Sequence, residues 1–193
     1  VTLSGTYEGD WLVRALNGNL PRDISVRRAR PGPAEFHARF SARGKRYLYR
    51  YFVGPDRPVF GWDRFHWIRR PVDLAAMRSA ASELVGKKDF AAFASNSGDG
   101  RNRSTVRQVD HLHLIRRPWG VDLFIQGTGF LYNMVRAIAG TVQDVGLLRY
   151  PPRYVAEILA ARDRSLAGMT APAHGLYLLR VLYPRETLGG DPA

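Results

Sequence analysis

The chain has 193 residues, of which 29 are lysine or arginine and 17 are aspartate or glutamate, so its formal net charge is +12 at pH 7. With 45% hydrophobic and 24% charged residues, it has the composition of a folded globular protein and not of a disordered chain. It has no cysteine, which excludes a disulfide scaffold, a thiolate metal site and a cysteine nucleophile. We find neither a membrane-length apolar run nor a signal-peptide pattern, and we expect a cytoplasmic protein without a membrane partner.

The basic residues are almost all arginine. Three of the 29 are lysine, which leaves 26 arginines. Guanidinium groups bind phosphates through a bidentate fork and stack on bases, so this surplus favours a nucleic-acid partner, RNA or DNA. A bias in genomic composition gives the same count, and charge alone does not separate the two explanations.

The first predicted elements are a short helix and a strand. Trp11, Leu12 and Leu16 lie on one face of a helix that ends near residues 17–19, where Asn-Gly-Asn breaks the pattern. A strand is then predicted for Ile24–Arg30, closed by a Pro-Gly-Pro sequence.

The stretch Lys45–Val53 has the alternation of a strand. One predicted face is largely tyrosine, and the other alternates basic and apolar residues. The first carries Tyr47, Tyr49, Tyr51 and Val53, and the second carries Arg46, Leu48, Arg50 and Phe52. An aromatic strand face usually packs in a core, but the basic residues nearby favour base stacking.

The middle of the chain predicts a strand, a helix and a hairpin. A second aromatic strand, Phe65–Arg69, precedes a helix that begins after the N-cap Asp73 and stops before Gly86. Strands at Val109–Ile115 and Val121–Gln126 are joined by an Arg-Pro-Trp-Gly turn. The preceding loop, residues 95–107, is rich in Gly, Asn, Ser and Arg, and we expect it to be mobile until a partner binds.

The last third predicts two helices and a strand. Apolar residues at helical spacing give a central amphipathic helix over about 130–146, and a further helix starts at Pro151-Pro152. A strand at Leu176–Tyr183 follows, and residues 185–193 resemble a frayed tail. The order of elements predicts an α+β fold with a mostly antiparallel sheet and helices packed on one face.

Few residues of the sequence are candidates for a metal-binding, anion-binding or catalytic site. His111 and His113 share a strand face, but no third ligand accompanies them, so we expect no metal site. Arg136 lies next to the apolar helical stripe of Val135 and Ile138, so its guanidinium either reaches solvent or is buried with a carboxylate or phosphate. The sequence alone favours a guanidinium that reaches solvent. No nucleophile elbow or complete phosphate-binding loop is present.

Several motifs nevertheless occur together in a recognisable order. They are Asn17–Pro21, Phe36–Ala42, Lys45–Tyr49 and Gly129–Arg136, followed by Thr170–Tyr177, with shorter matches at Thr105–Arg107, Val145-Gly146 and Arg162–Arg164. Together they resemble the tRNA pseudouridine synthase A family over nearly the whole chain, to about residue 184.

The resemblance implies a pseudouridine-synthase-like catalytic domain that isomerises uridine to pseudouridine in the anticodon stem-loop of tRNA. It implies a homodimer that needs no cofactor and no metal. By motif, Tyr47 corresponds to the tyrosine that packs against the target base, Arg136 to the arginine that pairs with the catalytic aspartate, and Leu176 to a residue of the same pocket. The expected RNA-binding residues are all basic: Arg43, Lys45, Arg46, Arg101, Arg103 and Arg107.

One family motif is missing. The nucleophile of the family lies in a Gly-Arg-Thr-Asp-Ala-Gly segment that this sequence does not contain. We therefore expect residues 1–184 to be the C-terminal α/β portion of a pseudouridine synthase, followed by a flexible tail at 185–193. By itself this portion should bind RNA weakly and catalyse nothing. Attack of the nucleophile on C6 of the base and on C1′ of the sugar both stay open.

Two other interpretations remain at this point. The chain is alternatively a non-catalytic RNA-binding module derived from such an enzyme, which predicts the same charge and loop. A plain structural domain with a basic surface is the third, and it leaves the motifs unexplained.

Overall fold

The computed structural model describes residues 3, 5–95 and 104–184. They divide into two compact units, one formed by the residues up to Ser41 together with Pro184, the other by Ala42–Tyr183. The predicted tail at 185–193 lies outside the described residues, as does most of the predicted arginine-rich loop. Each helix among the described residues is too short or too polar to span a lipid bilayer.

The described part of the first unit contains one helix, α1 (Gly9–Asn19), which confirms the prediction for this segment. The strand predicted at Ile24–Arg30 is wrong, because the backbone there pairs with no other strand. The Asn17 side chain instead accepts from the Val26 N–H at 2.7 Å and donates to its carbonyl at 2.8 Å. Side-chain bonds thus satisfy backbone groups that a sheet would otherwise pair.

The second unit is built on one mixed sheet. Its described strands are β1 (Gly44–Val53), β2 (His66–Ile68), β3 (Gly86–Asp89), β4 (Val106–Arg117), β5 (Gly120–Gly127) and β6 (Leu176–Leu182). The order is β2-β1-β5-β4-β3, and β6 also pairs with β1. All pairs are antiparallel except β1 with β2.

Three α-helices are described in this unit: α2 (Leu74–Ser82), α3 (Met134–Gly146) and α4 (Tyr154–Ala161). The Asp73 side chain caps α2 by accepting from the Ala76 N–H, as its sequence position predicted. Every residue of α3 except Arg136 is buried, which confirms α3 as the central helix. It begins a few residues later than predicted, after Asn133.

The helices lie on one side of the sheet. Tyr49 and Tyr51 of β1 are fully buried on this side, and the Tyr51 hydroxyl donates to the Ala139 carbonyl of α3 at 2.8 Å. Leu112 and Leu114 of β4 are buried beneath α2 on the same side.

We call this side of the sheet the covered face. It bears Tyr49, Tyr51, Leu114, Leu123 and Ile125. The opposite side, which bears Arg46, Arg50, His113, Asp122 and Phe124, is the open face. The α+β class with helices on one face is confirmed.

The sequence missed β3 and misplaced the start of β4. The four residues of β3 are Gly-Lys-Lys-Asp, and they pair with β4 through backbone bonds without an apolar pattern. Val106 and Arg107, predicted as loop, are the first residues of β4. A short polar strand carries no periodic signal, so only its partner reveals it.

Candidate functional site

Arg136 lies in the first turn of α3 with its guanidinium partly buried. Its Nε donates to the Ala171 carbonyl at 2.6 Å and its Nη1 donates to the Asn133 side-chain oxygen at 3.1 Å. Within the described ranges, no carboxylate lies within 4 Å of this guanidinium, and Nη2 makes no hydrogen bond. Arg136 is therefore held in place by neutral oxygens with one nitrogen left for an anion.

Asn133 positions this arginine, and sequence reasoning missed it. It has a left-handed backbone, φ 59°, which asparagine tolerates better than most residues. Its carboxamide nitrogen donates to the Ser95 hydroxyl at 3.3 Å while its oxygen accepts from Arg136. An asparagine directly before a buried helix was the available signal, since its side chain readily bonds neighbouring groups.

Tyr49 forms the floor of the site. Its hydroxyl donates to the Pro172 carbonyl at 2.8 Å, and a Cβ at Gly175 would lie 2.8 Å from the ring carbon Cζ. Burial raises the pKa of Tyr49, and the Arg136 charge opposes this only in part, so the phenol is neutral at pH 7. These contacts explain the motif at 170–177, whose carbonyls hold Arg136 and Tyr49 and whose glycine lets the chain approach the ring.

The other two predicted site residues border Tyr49. Tyr47 lies two residues earlier on the same face of β1, is half-buried, and meets Phe130 edge-on at 5.2 Å between ring centroids. Burial raises its pKa as well, so its hydroxyl is neutral. Leu176 pairs with Tyr49 across β1 and β6 and is partly buried. The structure thus brings Tyr47, Arg136 and Leu176 together around one buried tyrosine.

The predicted RNA-binding residues separate into different places. Arg46 is exposed on the open face, where Nε and Nη2 donate to the Gln126 side-chain oxygen at 2.9 and 2.6 Å. Arg43, three residues before it, is also exposed, and Lys45 is partly buried. Arg107 bonds the carbonyls of Ser104 and Val106, and its Cδ lies 3.8 Å from the position of a Cβ on Gly129, next to Phe130. The remaining two, Arg101 and Arg103, lie outside the described residues.

The open face carries its own charged cluster. Asp122 is 1% exposed, and its carboxylate lies 2.8 Å from Arg117 Nε and 3.5 Å from Arg50 Nε. The Arg50 guanidinium is surrounded by aromatic rings, with centroids 5.4 to 5.8 Å away: Phe65, Trp119 and Tyr177. Arg117 Nε donates to Asp122 Oδ2, whereas Arg50 Nε and Asp122 Oδ1 are buried without a hydrogen-bond partner among the described residues and interact only as charges. The two arginines thus share one carboxylate beneath the rings, and the cluster serves packing.

The two strand histidines also lie on the open face. His111 pairs with Gln126 and His113 with Phe124, and the His113 and Phe124 rings stack 5.1 Å apart. They share a face, as predicted. Across the described ranges, no three His, Cys, Asp or Glu side chains lie close enough together to hold a metal ion.

Comparison with known proteins gives consistent matches. The family model described as tRNA pseudouridine synthase matches residues 80–184, more than half of the chain. The protein named tRNA pseudouridine synthase A from Pseudomonas aeruginosa is 43% identical over 174 residues, which are 90% of this chain and 60% of that protein. Proteins of the same name from Halalkalibacterium halodurans and Bacillus licheniformis are 43% and 42% identical over 84% and 88% of this chain, and over 61% and 68% of their own lengths.

The chain thus spans about 60% of the length of the Pseudomonas aeruginosa and Halalkalibacterium halodurans relatives. Its match to the family model includes Arg136, Leu176 and the segment between them that binds Arg136. The identity of about 40% extends this match across most of the chain. The chain belongs to the tRNA pseudouridine synthase family.

Proposed function

We propose that this chain supplies one side of the uridine pocket of a tRNA pseudouridine synthase, with Arg136, Tyr47 and Leu176 as its site residues. The observation that carries the proposal is the anchored guanidinium of Arg136, whose Nη2 has no hydrogen-bond partner among the described residues and which lies beside the buried Tyr49. A fixed cation in a partly buried site is suited to hold a carboxylate in one geometry.

In the proposed reaction, the bond from C1′ to N1 of uridine breaks and a bond from C1′ to C5 forms. The hydrogen on C5 is released as a proton and N1 gains one, so the reaction is an isomerisation. The half-buried ring of Tyr47 offers a flat surface against which the detached base is kept while it turns. Leu176 closes the pocket beside it with an apolar side chain.

The carboxylate that reacts with the nucleoside is proposed to come from a segment outside these 193 residues. The absence of the Gly-Arg-Thr-Asp-Ala-Gly motif supports this, as does the lack of any carboxylate near Arg136 among the residues described. Residues 1–184 are then the C-terminal α/β portion of the enzyme, and catalysis requires both portions.

We further propose that the partner is tRNA and that the site of action is the cytoplasm. A net charge of +12 supports binding of a polyanion, through Arg43, Lys45, Arg46 and Arg107, together with the arginines at 101 and 103. The anticodon stem-loop is the target region that family membership favours.

A homodimer is proposed as well, and an exposed apolar stretch of the second unit supports it. Val59, Phe60 and Trp62 are 80%, 92% and 60% exposed within four residues of one another. Large apolar side chains in such a run are typical of a protein interface. Sedimentation of the complete enzyme tests the dimer, and Phe60→Asp should shift it to monomer.

Tritium release from tRNA labelled at C5 of uridine tests the function, because the isomerisation frees that hydrogen. Two proteins are assayed: this chain, and a chimera in which it replaces the matched region of the Pseudomonas aeruginosa relative. We expect release by the chimera and none by the chain. Release by the chain alone would place the nucleophile among its own residues, and a folded chimera that binds tRNA without releasing tritium would contradict the proposed function.

A further inference from the structure

The motif at Phe36–Ala42 forms a rigid turn that the pocket described above does not use. The Ser41 N–H donates to the His37 carbonyl at 2.9 Å, and the His37 N–H donates to the Ser41 hydroxyl at 3.0 Å. The backbone N–H groups of Arg39 and Phe40 both donate to His37 Nδ1, at 3.1 and 3.2 Å. Four hydrogen bonds within five residues fix the direction of the side chains between them.

The turn holds an aromatic ring out in solvent. Phe40 is 77% exposed, although phenylalanine is among the residues most often buried in folded proteins. The ring of His37 supports it from 4.4 Å, and the Arg39 guanidinium lies 5.7 Å from its centroid. Because the backbone is fixed by the turn, the exposure belongs to a defined conformation.

The charged residues that flank Phe40 along the chain indicate which kind of partner binds there. From residue 36 to residue 49 the chain contains no aspartate or glutamate, while it carries Arg39, Arg43, Lys45 and Arg46. An exposed ring beside a guanidinium, in a segment with only positive charge, is the combination that binds single-stranded nucleic acid by stacking and phosphate pairing. An apolar protein partner requires no such charge.

We propose that Phe40 is a stacking platform for an unpaired base of the bound RNA, and that Arg39 pairs with a phosphate next to that base. This rests on the proposed function, because it takes the partner to be RNA. It adds a contact site in the first unit, formed by a turn that is distinct from the residues around Tyr49.

The test is the affinity of the 193-residue chain for an RNA hairpin with an unpaired loop, compared with a fully paired duplex of the same stem, over a series of salt concentrations. Phe40→Leu keeps an apolar side chain but removes the ring, and Phe40→Trp keeps a ring. Arg39→Gln removes only the charge. Tyr150→Leu is the control, because the Tyr150 ring already stacks on Tyr154 at 4.4 Å.

We expect Phe40→Leu to lower affinity for the hairpin about five- to tenfold at every salt concentration, and to leave duplex binding and the salt slope unchanged. Phe40→Trp should bind like the unmodified chain, as should Tyr150→Leu. Arg39→Gln should reduce the slope of log affinity against log salt by about 0.7, the value for one phosphate contact on a single strand.

Two results would overturn the inference. Unchanged hairpin affinity in Phe40→Leu means that the ring contacts no base, and an equal loss on hairpin and duplex means that the contact is not stacking. In both cases the proposed function stands. If the chain binds neither RNA at any salt concentration, the RNA partner itself is wrong and the proposed function fails with the inference.

Discussion

The two faces of the central sheet come from the same strands but stabilise their polar groups in different ways. On the covered face, the hydroxyls of Tyr49 and Tyr51 donate to backbone carbonyls, and no charge is involved. On the open face, Arg50 and Arg117 share the buried carboxylate of Asp122. The alternation of β1 sends each kind of residue to its own side.

This difference between the two faces indicates on which side of the sheet an additional carboxylate is stabilised. On the open face, Arg50 and Arg117 already face the Asp122 carboxylate, so a second anion has less to gain beside them. Beside the covered face, Arg136 has only neutral partners among the described residues, so its charge is not compensated within them. A site for a catalytic carboxylate is therefore expected near α3 and not on the other side of the sheet.

The largest expected effect tests how tightly the covered face is packed. A Cβ at Gly140 of α3 would clash with the Met169 carbonyl oxygen, which belongs to rigid backbone. Although alanine favours a helix by about 1 kcal/mol over glycine, we expect Gly140→Ala to lower the free energy of unfolding by about 3 kcal/mol or more. Urea unfolding measures this.

Gly18 of α1 is the matched control, since a Cβ there meets nothing within 4 Å. Gly18→Ala should stabilise α1 by about 0.5 to 1 kcal/mol. Equal stability of Gly140→Ala and the unmodified chain would show that α3 does not approach the segment at Met169 as closely as described.

The elements that pack together were largely predictable from sequence, but the contacts between residues far apart in the chain were not. The strand at 44–53 and the helix at 134–146 carry strong local patterns, alternation in one and a stripe of period 3.6 in the other, so sequence identified both. The bond from Tyr49 to Pro172 joins residues 123 positions apart, and the bond from Arg136 to Ala171 joins residues 35 apart. No local pattern reports such a partner.

The family motifs identified the site residues but not the residues that bond to them. Tyr47, Arg136 and Leu176 came from motif resemblance. The structure adds that Asn133 accepts a hydrogen bond from Arg136 and that Tyr49 pairs with Leu176 across two strands. The strand wrongly predicted at Ile24–Arg30 shows the same limit, because both backbone groups of Val26 bond to the Asn17 side chain and the Ile24 N–H donates to the Pro21 carbonyl. Alternation alone does not say where backbone bonds are made.

An intermediate effect is expected on the open face. Asp122→Ala leaves Arg50 and Arg117 without their shared carboxylate, but their side chains are 35% and 39% exposed and can turn toward water. We therefore expect a loss of about 1 to 2 kcal/mol in unfolding free energy, measured by urea unfolding.

The exposed pair of Arg153, directly before α4, and Glu157 within it lies 4.0 Å apart and provides the control. Glu157→Ala should change the free energy of unfolding by less than about 0.5 kcal/mol. If Asp122→Ala changes the free energy of unfolding as little as Glu157→Ala does, the open face does not depend on its buried carboxylate.

The smallest effect concerns a histidine on each face. Burial lowers the pKa of His66, which bonds Gln143 of α3, with His174 adding to the shift. Burial also lowers the pKa of the more exposed His113, with repulsion by His111 and Arg46 adding to it. Both folded-state values lie below the usual 6.5, so the stability from each is present above pH 6.5 and is lost as the pH falls through the folded-state pKa.

Because salt screens exposed charges more than buried ones, the two histidines should respond differently to it. In an NMR titration, high salt should raise the pKa of His113 toward 6.5 and leave that of His66 lower and less changed. Equal salt shifts in both would show that the two faces do not differ in solvent access.

The most direct measurement is tritium release by the chimera carrying Arg136→Ala, compared with Arg117→Ala on the open face. Removing a fixed cation from the reacting site typically lowers kcat about 100-fold or more, so we predict that loss for Arg136→Ala with tRNA binding retained. Arg117→Ala should keep kcat within about twofold, since it has no part in the proposed chemistry. A kcat of Arg136→Ala equal to that of the unmodified chimera would contradict the central claim that this arginine holds the catalytic carboxylate.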